Sequence, residues 1–134
     1  MTKNKLIFGI LFLLLQGLLG CSHAITVKGK VTFSDGTPLE IGKVVFENDQ
    51  RTFTGKIQKE GTFSMGQLKE GQGIPPGKYR VYISEAFLEE FSPGSPFPKV
   101  TQLIAKKYRK PQTSGLEYDI QEKTTDISIV IEKP

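Results

Sequence analysis

Residues Ile25-Thr26-Val27-Lys28-Gly29-Lys30-Val31-Thr32-Phe33, with Ser34-Asp35-Gly36-Thr37-Pro38 directly after them, decide how the fold is read. Ile25, Val27, Gly29, Val31 and Phe33 alternate with Thr26, Lys28, Lys30 and Thr32. A period of two sends successive side chains to opposite faces of a strand, so this stretch predicts a strand with one apolar face and one wet face. Asp35-Gly36 then supplies turn chemistry, because aspartate bonds its own backbone and glycine accepts a positive φ.

The same pattern recurs outward from this stretch. Ile41 to Glu47 is centred on Val44, Val45 and Phe46, and Asn48-Asp49-Gln50 turns the chain. Phe53, Gly55 and Ile57 alternate with polar neighbours, and Lys59-Glu60-Gly61 leads to Phe63 and Met65. Pro75, Pro76 and Gly77 set up Tyr79, Val81 and Ile83, and the last two strands are read over Leu116 to Ile120 and Ile127 to Ile131. Short strands separated by turns, with almost no helical period, predict an all-β fold: a seven-stranded antiparallel β-sandwich, transthyretin-like or Ig-like. Only Glu85 to Phe91 suggests a short helix. The proline-bearing loop with Phe87, Leu88, Phe91 and Phe97 is expected to fold back and close one end of the sandwich, in preference to forming a patch for a partner.

Ahead of the domain, Lys3 and Lys5 precede an apolar run from Leu6 to Leu15. This is the order of a secretory signal, here a signal helix, and the run is shorter than the ~20 apolar residues that a membrane span needs. Leu18-Leu19-Gly20-Cys21 resembles the bacterial lipobox. The resemblance implies removal of residues 1–20, acylation of Cys21, a lipidated tether over residues 21–24 and a sandwich domain over residues 25–134. Cys21 is the only cysteine, and acylation would spare an exported protein an unpaired thiol. Two acyl chains hold a protein stably on a bilayer. The implied location is the cell envelope. Ser22, standing where aspartate would signal inner-membrane retention in such lipoproteins, favours the outer membrane of a diderm host.

A second resemblance covers the domain itself. Gly29-Lys30-Val31-Thr32-Phe33, Asp35-Gly36-Thr37-Pro38-Leu39, Gly61-Thr62-Phe63 and Ile74-Pro75-Pro76-Gly77-Lys78-Tyr79-Arg80-Val81 follow the order seen in carboxypeptidase regulatory-like domains. Lys107-Tyr108 with Thr113-Ser114-Gly115-Leu116 resembles small planctomycete-type lipoproteins. These resemblances imply a transthyretin-like sandwich and a non-catalytic module. The fold also houses 5-hydroxyisourate hydrolase, but the chain ends Ile131-Glu132-Lys133-Pro134 and lacks that enzyme's tyrosine-arginine-glycine-serine signature.

The residue inventory argues against catalysis. His23 is the only histidine and lies beside the anchor, so neither a Ser-His-Asp arrangement nor a zinc site is available to the domain. No catalytic residue, metal or cofactor is expected, and Glu85, Glu89 and Glu90 read as a solvated helix face. The net charge is +4 with the charges interspersed, so no nucleic-acid partner is expected. Lys106, Lys107, Arg109 and Lys110 surround Tyr108 as a candidate site for lipid phosphates or an anionic polysaccharide; the competing reading is a solvated loop with Tyr108 plugged into the core. With no tryptophan, Tyr82, Tyr108 and Tyr118 are the candidate stacking platforms for a glycan, Tyr82 with the best claim to an exposed sheet face, against cross-strand pairing of Tyr82 within its sheet. The contact set expected of a glycan binder is Tyr82, Tyr108 and the basic cluster. The expectation is a non-enzymatic, lipid-anchored envelope protein acting as an interaction or structural module. The alternative is a glycan- or polyanion-binding module, with an envelope protein or a glycan as partner.

Overall fold

The computed structural model describes residues 24–66 and 71–134, so the expected signal peptide and the lipidation site Cys21 lie outside the described residues. The fold is all-β, as expected. The strands are β1 (Lys28–Phe33), β2 (Lys43–Glu47), β3 (Thr52–Lys56), β4 (Thr62–Ser64), β5 (Gly77–Ser84), β6 (Phe87–Glu90), β7 (Lys99–Gln102), β8 (Leu116–Ile120) and β9 (Asp126–Ile131), with a 3-10 turn over Lys106–Arg109. All seven strands read from the sequence are among them.

Two sheets enclose the core. One has the order β4-β1-β9 and the other β3-β2-β5-β8, while β6 and β7 form a separate hairpin. Val27, Val31, Val44, Phe46, Ile83 and Ile129 are completely buried between the sheets, each worth about 1.5–3 kcal/mol of burial if it is a large side chain. The sheets are stitched at one side where Thr54 and Gly66 exchange backbone hydrogen bonds of 3.0 and 3.1 Å. Gly29 marks the tightest crossing in the first sheet. A Cβ there would run into the Ile127 carbonyl oxygen and the Phe63 ring, so only glycine fits between β4 and β9.

One pairing departs from an all-antiparallel arrangement: β9 runs parallel to β1, from Lys28 opposite Asp126 to Phe33 opposite Ile131. The cause is the path of the chain. β8 runs antiparallel to β5 and ends at Ile120, opposite Gly77. A five-residue connection then carries the chain across to the other sheet at the same end, so β9 sets off in the direction of β1.

The expected helix at Glu85–Phe91 is instead the turn into β6. Glu85 sits in the left-handed region with φ 56°, which stops a right-handed helix at its first residue. Residues 87–90 then pair with residues 99–102, with Phe87 opposite Gln102 and Glu90 opposite Lys99. Pairing across so long a loop leaves no trace in local spacing.

Candidate functional site

The strand directions give the sandwich two distinct poles. At the entry pole Ile25 exchanges backbone hydrogen bonds of 2.7 and 2.9 Å with Ile74, beside the start of β5 and the end of β8. At the far pole lie the end of β1, residues 38–41 ahead of β2, the C-terminal residues Lys133 and Pro134, and the base of the β6–β7 hairpin, which together line one groove. β5 alone spans eight residues between the poles, roughly 26 Å at ~3.3 Å per residue.

The hairpin is anchored at its base and free at its tip. The Leu103 amide donates to the Ala86 carbonyl at 3.0 Å, continuing the ladder into the domain, and Ala86 is buried. At the tip, Ser92-Pro93-Gly94-Ser95 closes a turn through a 3.1 Å bond from the Ser95 amide to the Ser92 carbonyl. Proline at the second position and Gly94 at φ 83° are the requirements of a type II turn. The Ser95 hydroxyl also donates to the Phe97 carbonyl at 2.9 Å. Around this turn Phe91 is 74% and Phe97 77% exposed, and Leu88, Val100 and Ile41 are exposed nearby. The expectation that this loop closes one end of the sandwich is therefore corrected for Phe91 and Phe97: the ladder holds their arms out from the body. Phe87 at the base is half-buried.

Between the hairpin base and the ends of β1 and β9 runs a groove of about 630 Å³, with Phe33, Pro38, Leu39, Ile41, Leu88 and Leu103 as its apolar walls. Glu40, Gln102 and Lys133 supply its polar rim. Lys133 is already engaged by Asp35 at 2.8 Å. Sequence reasoning found the exposed aromatics as a candidate patch but not this groove, since its walls come from five separate stretches of chain.

The basic cluster is less open than its sequence suggests. Tyr108 is buried in the core, which corrects its candidacy as an exposed platform and leaves it as a plug. Lys107 pairs with Glu132 at 3.0 Å and lies 4.9 Å from the centre of the Tyr108 ring. The Glu132 carboxylate, followed by Tyr108, raises the Lys107 pKa above the usual lysine range. Arg109 is half-buried, with Nη2 donating to the Ile104 carbonyl at 3.4 Å and a buried Nε without a partner. Only Lys106 and Lys110 stand exposed without such ties.

Tyr82 faces away from the core on β5, beside Val45 on β2. It is half-buried, and burial, then the charge of Glu47, raises its pKa above the usual tyrosine range. Because Tyr108 packs into the core and Tyr82 stands on the opposite face of β5, the two rings do not share a surface. The candidate glycan contact set is thus not brought together.

A second cleft, of about 460 Å³, opens where β2 ends and β5 begins, lined by Glu47, Asp49, Lys78, Arg80, Tyr118 and Asp119 among others. Arg80 sits 3.9 Å from Glu47 and 3.7 Å from Asp49, and the half-buried Tyr118 stacks on Phe46 at 6.0 Å. Charges of both signs face open solvent here, an arrangement of surface ion pairs worth little individually. Among the described residues no group of three or more His, Cys, Asp or Glu side chains is placed to hold a metal ion, and no helix is long and apolar enough to cross a membrane.

No protein-family model matches the chain, and none of the curated proteins does. Among solved structures, the fold is similar to a variant of BcpA, the major pilin subunit of Bacillus cereus, with a TM-score of 0.50 and 13% identity over 82% of this chain. The chain spans only 30% of that pilin subunit's length. At that identity the likeness speaks for the β-sandwich fold alone.

Proposed function

We propose that the chain is a non-enzymatic, lipid-anchored protein of the cell envelope whose β-sandwich serves as an interaction or structural module at the membrane surface. The observation that carries this reading is the placement of Phe91 and Phe97, exposed on a protruding hairpin at the pole opposite the one where the chain enters the domain. A tether of residues 22–24 reaches at most ~11 Å, so acylation at Cys21 stands the sandwich on its entry pole and presents the hairpin outward. The lipobox resemblance and the likeness to carboxypeptidase regulatory-like domains and small planctomycete lipoproteins support it. The domain offers a partner apolar surface and main-chain edges.

The test is the intact mass of the protein recovered from bacterial membranes. The reading expects cleavage before Cys21 with acyl chains on that residue, and release of Cys21→Ser from the membrane fraction. An unmodified Cys21 in a protein that stays in the aqueous phase would overturn the anchor.

The glycan- or polyanion-binding reading retains Tyr82, Lys106 and Lys110 as accessible contacts. Its test is retention on a sulfated polysaccharide resin; elution that does not change with ionic strength or with Lys106→Ala/Lys110→Ala removes it.

A further inference from the structure

The outer face of the β4-β1-β9 sheet carries a cleft of about 760 Å³, lined among others by Lys28, Lys30, Thr62, Ser64, Gly71 and Asp126. Strand side chains alternate between faces, so the strands that bury Val31 and Phe63 turn both lysines and both hydroxyls outward together. The Val31 amide donates to the Gly61 carbonyl and the Met65 amide to the Val27 carbonyl, both at 2.9 Å. Lys28–Ser64 and Lys30–Thr62 are therefore the pairs that lie between ladder bonds, whose Cα atoms are ~4.5 Å apart and whose side chains stand closest. Each lysine stem rises beside a hydroxyl, and the two lysines are about 7 Å apart along β1.

Lys43, Lys107 and Lys133 each hold a carboxylate at 3.0 Å or less. Among the described residues Lys28 and Lys30 form no ion pair, although Asp126 is opposite Lys28 across the parallel pairing of β1 with β9. Two neighbouring cations on one strand face repel each other, and an anion seated between them replaces that repulsion with two attractions. Ser64 adds a donor. Its Oγ is buried without a hydrogen-bond partner, and a Cβ on Gly71 would stand 3.8 Å from it, so the Gly71 turn screens it from solvent. A buried hydroxyl left unpaired is costly, and an oxygen placed in the cleft accepts the bond it has to give.

We propose that this cleft is an oxyanion site that binds a phosphate group, with Lys28 and Lys30 supplying the charge and Ser64 and Thr62 the hydroxyl donors. A tetrahedral phosphate has an oxygen for each of these donors, which converge on it from two strands. Lys28 follows Cys21 by seven residues, at most ~25 Å of chain, so under the anchored reading proposed above the cleft stays near the headgroups of the supporting membrane. A soluble phosphate ester offers the same chemistry. The site stands on the cleft alone, and only the headgroup as its source depends on the anchor.

The test uses the isotopically labelled mature protein in uncharged detergent micelles, titrated with inorganic phosphate and with glycerol phosphate while the amide resonances are followed. Saturable shifts are expected at the amides of residues 28–30 and 62–64. Lys28→Gln/Lys30→Gln is expected to weaken binding by about tenfold or more. Ser64→Ala, which removes no internal hydrogen bond, is expected to weaken it severalfold with an unchanged thermal midpoint, and Asp126→Asn to tighten it. Lys106→Gln/Lys110→Gln leaves it as it was. No saturable shift at these amides with either compound overturns the proposal. Binding that survives the paired lysine substitution also overturns it, and binding indifferent to Ser64→Ala reduces the cleft to diffuse attraction by surface charge and overturns it as a site. The source is read in bicelles. Amides that move when phosphatidylglycerol replaces phosphatidylcholine, and that no longer respond to glycerol phosphate, assign the site to a headgroup; amides that stay in place and still respond assign it to a soluble phosphate ester. An unmodified Cys21 removes the anchor and not the site, because the same titration then runs in free solution.

Discussion

The Lys133 ammonium lies 2.8 Å from Asp35 Oδ2, tying the residues after β9 to the turn that follows β1. Asp35 also accepts from the Thr37 amide at 3.0 Å and the Thr37 hydroxyl at 2.6 Å. The bond from Lys133, and then those from Thr37, hold the Asp35 carboxyl far below the usual carboxylate range. A carboxylate with a depressed folded-state pKa contributes stability that is fully present above its unfolded value of about 3.9 and lost as pH falls toward the folded value. Asp35→Asn is therefore expected to lower the thermal midpoint at pH 7. The gap from the parent should narrow as pH drops below about 4, and scans at pH 7, 4 and 2.5 check it. Because the pair is exposed, raised salt should shrink the gap as well.

Ser114 is a buried polar residue placed at the end of the β5–β8 ladder. Its hydroxyl donates to the Val81 carbonyl and accepts from the Leu116 amide at 3.2 Å. Ser114→Ala leaves both backbone groups short of a partner, a loss of about 1–3 kcal/mol. Urea titration measures it, and an unchanged midpoint would show that the hydroxyl is dispensable.

At Gly29 the expected cost is steric. A methyl group there meets backbone on one side and the Phe63 ring on the other, so Gly29→Ala is expected to destabilise by about 1–3 kcal/mol or more. Shrinking the ring tests the assignment: Phe63→Leu introduced with Gly29→Ala should recover part of that loss, giving a non-additive double-mutant cycle.

Glu85 combines a left-handed backbone at φ 56° with an exposed salt bridge to Lys43 at 2.9 Å. Glycine adopts that conformation without penalty and alanine does not. Glu85→Gly is expected to equal or exceed Glu85→Ala in stability by about 1 kcal/mol, although both lose the same surface ion pair. The reverse order in chemical denaturation would mean that the left-handed backbone carries no cost.

The candidate site was legible in part. Phe91 and Phe97 stood out as apolar residues in a loop, yet closure of the sandwich and projection from it have the same sequence, and only the pairing of β6 with β7 separates them. The basic cluster around Tyr108 read as one feature because its members are adjacent in the chain. In space Tyr108 turns inward, Lys107 finds Glu132 and Arg109 folds toward Ile104, which leaves two free lysines. Ile104 lies five residues before Arg109, and Glu132 follows the end of β9, far along the chain from Lys107.

By itself the sequence determined the all-β class and the seven strands of the sandwich, because alternation of apolar and polar residues is a local consequence of strand geometry. It also determined the turn at Asp35-Gly36, whose φ requirement is met by the residues in place. Tertiary structure alone decided the rest: the parallel pairing of β9 with β1, the hairpin in place of a helix, and the two poles that separate the chain's entry from its exposed aromatics. Each of these depends on contacts between residues far apart in the chain, where the balance of burial, main-chain pairing and loop closure is set by the whole fold and not by any window of neighbours.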